Sequence, residues 1–177
     1  MSILATVLAI VAVLIVVVLV MAASKSDTFS ISRSATIQAP AEKIFPLIDD
    51  LRAHESWSSF DKPDPAVNKV YSGAQQGQGA VYDWNGKGQA GAGRLAITES
   101  LPFSRIGMQL DMLKPIKASN EVVFTLQPQG GATDVGWTMQ GHRPFLIKVM
   151  HVFFNMDRMV GGQFEVSLDK LRSLSER

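Results

Sequence analysis

From Phe145 to Arg177, apolar residues recur every three or four positions: Val149, Phe153, Met156, Val160, Phe164, Leu168 and Leu171. That spacing puts them on one face of an α-helix, with Lys148, Asp157, Arg158, Asp169, Lys170 and Arg172 mostly elsewhere around it. A helix of about eight turns with so wide an apolar face needs a broad partner. Between Tyr71 and Gly141 the period changes to two, so the partner is a sheet. Val67–Ser72, Gly79–Asn85, Gly93–Leu101, Arg105–Leu113, Ser119–Gln127 and Thr133–Gly141 each read as a strand. Their separators are turn chemistry, such as Asn85-Gly86, Lys114-Pro115 and Gln129-Gly130-Gly131, and connections this short predict an antiparallel meander.

Ahead of these strands, Phe29, Ile31, Ala35 and Ile37 alternate with polar residues in a first strand, with a slip near Arg33 that suggests a bulge. Ala39-Pro-Ala-Glu42 opens a short helix with Ile44, Phe45, Leu47, Ile48 and Leu51 on its apolar face. Asp49-Asp50 reads as its solvated end. His54 to Phe60 is a short broken segment, and Asp61-Lys-Pro-Asp-Pro65 is a loop. The class is therefore α+β: a curved antiparallel sheet of about seven strands wrapped around a long C-terminal helix.

The chain also carries an apolar run, Ile3–Ala23, interrupted only by Thr6. About 21 helical residues span roughly 30 Å, the thickness of a bilayer's hydrocarbon core. The run is too long for a signal-peptide core and lacks a positive n-region, so an uncleaved anchor fits better than a removed signal. Lys25 and Arg33 follow the span, which leans the rest towards the cytoplasmic side. The expected organisation is an anchor at 1–24, a linker at 25–28 and one domain at 29–177.

Composition excludes several kinds of chemistry. The 177 residues include no cysteine, which removes disulfides, thiolate nucleophiles and Cys-based metal sites. Seventeen Lys and Arg against sixteen Asp and Glu give no basic footprint for nucleic acid. His54, His142 and His151 lack the spacing of a metal pair on one helix, so neither a metal nor a cofactor is expected. Gly86-Lys-Gly-Gln-Ala-Gly91 satisfies G-x-G-x-x-G formally, but a strand follows it where a dinucleotide site requires a helix.

Several phrases, in order, resemble the polyketide cyclase/dehydrase-like branch of the START/Bet v 1 (SRPBCC) superfamily. They are Ile37-Gln-Ala-Pro-Ala-Glu-Lys-Ile-Phe45, His54-Glu-Ser-Trp57, Ile97-Thr-Glu-Ser-Leu-Pro102, Val135-Gly-Trp-Thr-Met-Gln-Gly141 and Met156-Asp-Arg-Met-Val-Gly-Gly-Gln-Phe-Glu165. The resemblance covers residues 28–176 and implies a helix-grip fold with a cavity between sheet and helix. Function follows less directly, because the superfamily spans lipid carriers, receptors and cyclases.

The inner strand faces nominate the lining. Tyr82, Trp84, Met108, Leu110, Met112, Phe124, Trp137 and Met139 should meet Phe153, Met156 and Val160 of the helix. These residues can form a filled core or a hydrophobic ligand cavity; the resemblance favours the cavity. The expected activity is membrane-tethered binding of an apolar small molecule (a lipid, isoprenoid or polyketide-like compound). An alternative is a cyclase or dehydratase using Glu99 or Tyr82, and another is a closed-core interaction domain whose protein partner the sequence does not identify. His142 and Arg143 could sit at a cavity mouth. Gly161-Gly162, costly in mid-helix, point to a close approach or a kink.

Overall fold

The computed structural model describes residues 2–61, 65–86 and 91–177, with only the backbone of His151. Its elements run α1 (Ile3–Ala23), β1 (Thr28–Ile37), α2 (Ala41–Asp49), α3 (His54–Trp57), β2 (Asn68–Gly73), β3 (Ala80–Asn85), β4 (Ala92–Leu101), β5 (Arg105–Lys114), β6 (Ala118–Gln129), β7 (Ala132–His142), α4 (Phe145–Phe153) and α5 (Met156–Ser175). The seven strands form one antiparallel sheet in the order β1-β7-β6-β5-β4-β3-β2. Strands β2 to β7 are the expected meander; β1 closes on the last of them. The loop readings at Lys62–Asp64 and within Gly86–Gly91, at 87–90, lie outside the described residues.

Packing follows from the alternation. Val122, Phe124 and Leu126 are buried along β6, and α5 answers with Phe164, Leu168 and Leu171. Helices α2 and α3 cover the same end, with Ile44, Ile48, Leu51 and Trp57 buried. The His54-Glu-Ser-Trp57 phrase has a structural task here. Trp57 Nε1 donates to the Leu47 carbonyl at 2.8 Å, and His54 Nε2 meets the Ile48 carbonyl at 2.8 Å. Both satisfy carbonyls that the last turn of α2 leaves open. Burial holds the His54 pKa below its ordinary value, so the ring is neutral and Nε2–H is the donor.

Three local expectations are corrected. The C-terminal stretch is two helices, because Phe154 is extended and Asn155 starts a new helix, its side chain accepting from the Arg158 N–H at 3.0 Å. Strand β1 has no bulge: its register against β7 is continuous from Thr28 to Ile37. Arg33 keeps its inward position, lies over Gly161 and bonds Asp157 at 3.0 Å and Glu165 at 2.6 Å. A Cβ at Gly161 would fall 2.1 Å from Arg33 Nη2, so this glycine is the close approach that its cost in a helix demanded. Finally, Asp49 is buried and accepts from Ser100 Oγ at 2.7 Å, which ties α2 to β4.

Helix α1 stands apart from this core. Its apolar side chains are exposed along nearly its whole length, and its packing partner is α4. The junction is clamped by the residues that join α1 to β1. Lys148, buried in α4, pairs with the Asp27 carboxylate, and the Arg143 N–H donates to the Asp27 carbonyl at 2.6 Å. The hydrogen bond from Lys148 holds the Asp27 carboxyl below its usual range.

Candidate functional site: a cavity between sheet and helices

The sheet curls over α5 without filling the space beneath it, leaving a cavity of about 1090 Å³. That is at the upper end of the roughly 300–1,000 Å³ typical of small-molecule sites. All eleven lining candidates lie on it: Tyr82, Trp84, Met108, Leu110, Met112, Phe124, Trp137 and Met139 from the sheet, with Phe153, Met156 and Val160 from the helices. Cross-strand register explains their convergence. Leu95 stands between Tyr82 and Leu110, Met108 faces Val122, and Phe124 faces Trp137. Trp84 has room because its ring lies across Gly93.

The two ends of the cavity differ in packing. At the inner end Trp137 stacks on Phe164 at 4.1 Å between ring centroids, and lies 4.7 Å from Phe124 and 5.7 Å from Trp57. Phe60, itself exposed, packs edge-on against Trp137 and Phe164. At the outer end the exposed lining runs through His142, Phe153, Phe154 and Asn155, which places a mouth where β7, α4 and α5 meet. His142 and Arg143 do line this mouth.

One wall is polar. Tyr82 Oη donates to Asp61 at 2.8 Å, and Lys69 bridges Asp61 at 2.9 Å and Glu55 at 2.6 Å. Burial opposes the Lys69 charge, but the bonds to Glu55 and Asp61 outweigh it and hold its pKa above the usual value. Burial, then the bond to Asp61, raises the Tyr82 pKa far above the ordinary tyrosine value. A hydroxyl so held is a fixed donor with little tendency to release its proton near neutral pH.

Glu99 is not on the cavity. A register shift between Ile97 and Glu99 inserts Thr98 as an extra residue, so Ile97 still faces Met108 but Glu99 faces Gly107. The bulge turns Glu99 away from the Leu95–Ile97 face, and its carboxylate pairs with Arg105 at 2.6 Å, half exposed. Its nomination assumed unbroken alternation along β4.

Among the described residues, three buried polar atoms on the lining have no hydrogen-bond partner: Asn120 Oδ1, Trp137 Nε1 and Arg143 Nε. Asn120 was absent from the sequence reading although it carried a signal. It occupies the inward series Asn120, Val122, Phe124, Leu126, where a polar residue is out of pattern. Asp61 and Lys69 gave no such signal, since their partners arrive from other elements. Among the described residues no cluster of His, Asp and Glu could hold a metal.

Known proteins share this architecture. A search of curated proteins gave no match. Among solved structures, a protein from Rhizobium leguminosarum superposes with a TM-score of 0.61 at 14% identity, covering 85% of this chain and 95% of its own. The Aha1 dimer from Colwellia psychrerythraea gives 0.59 at 17% identity, covering 84% and 96%. A protein from Chromobacterium violaceum gives 0.58 at 16% identity, covering 85% and 98%. At such identities these likenesses speak for the fold alone. The profile of the family described as "Polyketide cyclase / dehydrase and lipid transport" matches residues 28–176, and the chain belongs to that family.

Proposed function

We propose that this protein is a membrane-tethered binding module that holds an apolar small molecule (a lipid, isoprenoid or polyketide-like compound) between the sheet and its C-terminal helices. The cavity carries the reading: it is roomy, lined chiefly by apolar side chains that include many aromatics and adaptable methionines, and opens beside α4, which packs against α1. In this reading residues 1–24 are the anchor, 25–28 the linker and 29–177 the binding domain.

A bilayer span at α1 puts the mouth next to a reservoir of apolar molecules and raises their effective concentration. Helix α4 suits that position. Phe145, Leu146, Met150 and Phe153 are exposed on it, while Ile147, Val152 and Phe153 line the cavity. A helix apolar both outward and inward stands well between lipid and a ligand site.

The test is to extract the full chain from membranes in a neutral detergent, record its native mass and identify what organic solvent releases. A stoichiometric apolar adduct is expected. A clean apo mass that remains apo when lipids are supplied would overturn the proposal.

A further inference from the structure

The lining is not uniformly apolar, and two of its three unsatisfied polar groups, on Asn120 and Arg143, lie at the mouth. Cross-strand register sets Phe29 and Asn120 on either side of Gly141. A Cβ at Gly141 would lie 2.2 Å from Asn120 Oδ1 and 3.2 Å from a Phe29 ring carbon, so the missing side chain leaves the space these two groups occupy. The Arg143 guanidinium sits over the Phe29 ring, 5.8 Å from its centroid. Asn120 is a buried residue whose Oδ1 has no partner, and Arg143 Nε is likewise buried and unpaired. Such groups are costly to leave unsatisfied, and a ligand that pairs them recovers that cost.

The charge balance of the lining gives the sign of the ligand. Its carboxylates are already engaged: Asp157 by Arg33, and Asp61 by Lys69 and the Tyr82 hydroxyl. Of its cations, Lys69 is likewise engaged, by Asp61 and Glu55, but two others are not. Arg143 and Lys25 both line the cavity, and among the described residues neither has a carboxylate partner. A half-buried guanidinium held by an aromatic ring, with free N–H groups, suits a two-oxygen acidic head. The Asn120 amide, turned either way, can donate to a head oxygen or accept from a protonated one.

We infer that the cavity takes an acid-headed amphiphile, a carboxylate or phosphate monoester on an apolar tail, with the head bound at the mouth by Arg143 and Asn120. This rests on the proposed binding of apolar molecules and adds the head that such a molecule carries. The tail then runs inward past Met139, Val122 and Met108 towards Trp137.

The test uses the full chain in a maltoside detergent at about pH 8, where both acids are ionised. Palmitate, hexadecyl phosphate and hexadecanol share one tail and differ in head. The acids should bind about tenfold or more tighter than the alcohol, and whichever acid binds tighter names the head. Arg143→Gln should reduce that preference to within about twofold, chiefly by weakening the acids. Arg143→Lys, which keeps the charge without the fork, should restore part of it. Asn120→Leu should weaken the acids more than the alcohol. Equal binding of acids and alcohol, or a preference that survives Arg143→Gln, overturns the head assignment and leaves the apolar cavity standing. Binding of none of the three overturns both.

Discussion

Helices α4 and α5 come from one uninterrupted stretch of periodic sequence, yet they settle in opposite surroundings. The second places Phe164, Leu168 and Leu171 in the core, each at most 2% exposed, and turns charges outward. The first has little charge to turn outward: Phe145, Leu146, Met150 and Phe153 are exposed, while its one lysine is buried against Asp27. An amphipathic period reports that a face is apolar; it does not report which medium the face meets. Asn155 separates the two, and at that point the stretch passes from a helix beside α1 to one beneath the sheet. The tightly packed inner end and the open mouth of the cavity follow from this division.

The largest test of the difference lies in two phenylalanines. Phe164 stacks on Trp137 and is buried, so Phe164→Ala should cost about 3–5 kcal/mol of stability through lost burial and the cavity left behind. Phe153 is 66% exposed, and Phe153→Ala should change stability by about 0.5 kcal/mol or less. Denaturant titration of the full chain in detergent reads both. Similar losses at the two positions would mean that α4 is as much part of the folded core as α5.

A smaller effect separates two neighbours within α5. Nothing stands within 4 Å of a Cβ built on Gly162, so Gly162→Ala should stabilise by about 1 kcal/mol through helix propensity. At Gly161 the same substitution meets the whole Arg33 guanidinium, with Nη2, Cζ and Nε all within 3 Å of the new carbon. The arginine must leave Asp157 and Glu165, so Gly161→Ala should lose what its neighbour gains. In an Arg33→Ala background the two glycines should respond alike. If they already do so in the native chain, Arg33 is not what requires the glycine.

These pairs also show how far the sequence is legible. Strand count and the inward faces follow from a period of two, because a sheet covered on one face must alternate. The meander of β2 to β7 follows from its short turns; the place of β1 beside β7 has no local signal. The eight nominated strand residues reach the cavity by the same alternation, and Phe153, Met156 and Val160 reach it through the helical period of three to four. Legibility stops where one residue breaks a count. Thr98 bulges and turns Glu99 outward; Arg33 holds an inward position because a helix on the far side of the sequence supplies two carboxylates and a glycine. Asn155 is a local signal, a good N-cap two residues before Asp157, masked by apolar periodicity running through it. Asp49 needed Ser100 to explain its burial, and no local pattern contains both.

The smallest effect on stability tests the comparison most directly. Leu146 on α4 and Val166 on α5 are both exposed aliphatic residues, at 61% and 49%. Judged by exposure alone they are equivalent, and replacing either should cost about 0.5 kcal/mol or less. The proposed orientation makes them unequal, since α4 lies beside the apolar α1 while Val166 faces away from the core on α5. The chain has no cysteine, so Leu146→Cys and Val166→Cys each give a single labelling site. With an environment-sensitive dye and the full chain in vesicles, the Leu146→Cys label should emit to the blue and be quenched by brominated acyl chains. The Val166→Cys label should behave as in water. Equal quenching at both sites, or at neither, would detach α4 from the bilayer surface, and with it the claim that the cavity mouth opens towards lipid. Quenching confined to α4 would establish that one apolar period is divided between two solvents, the protein's own core and the membrane.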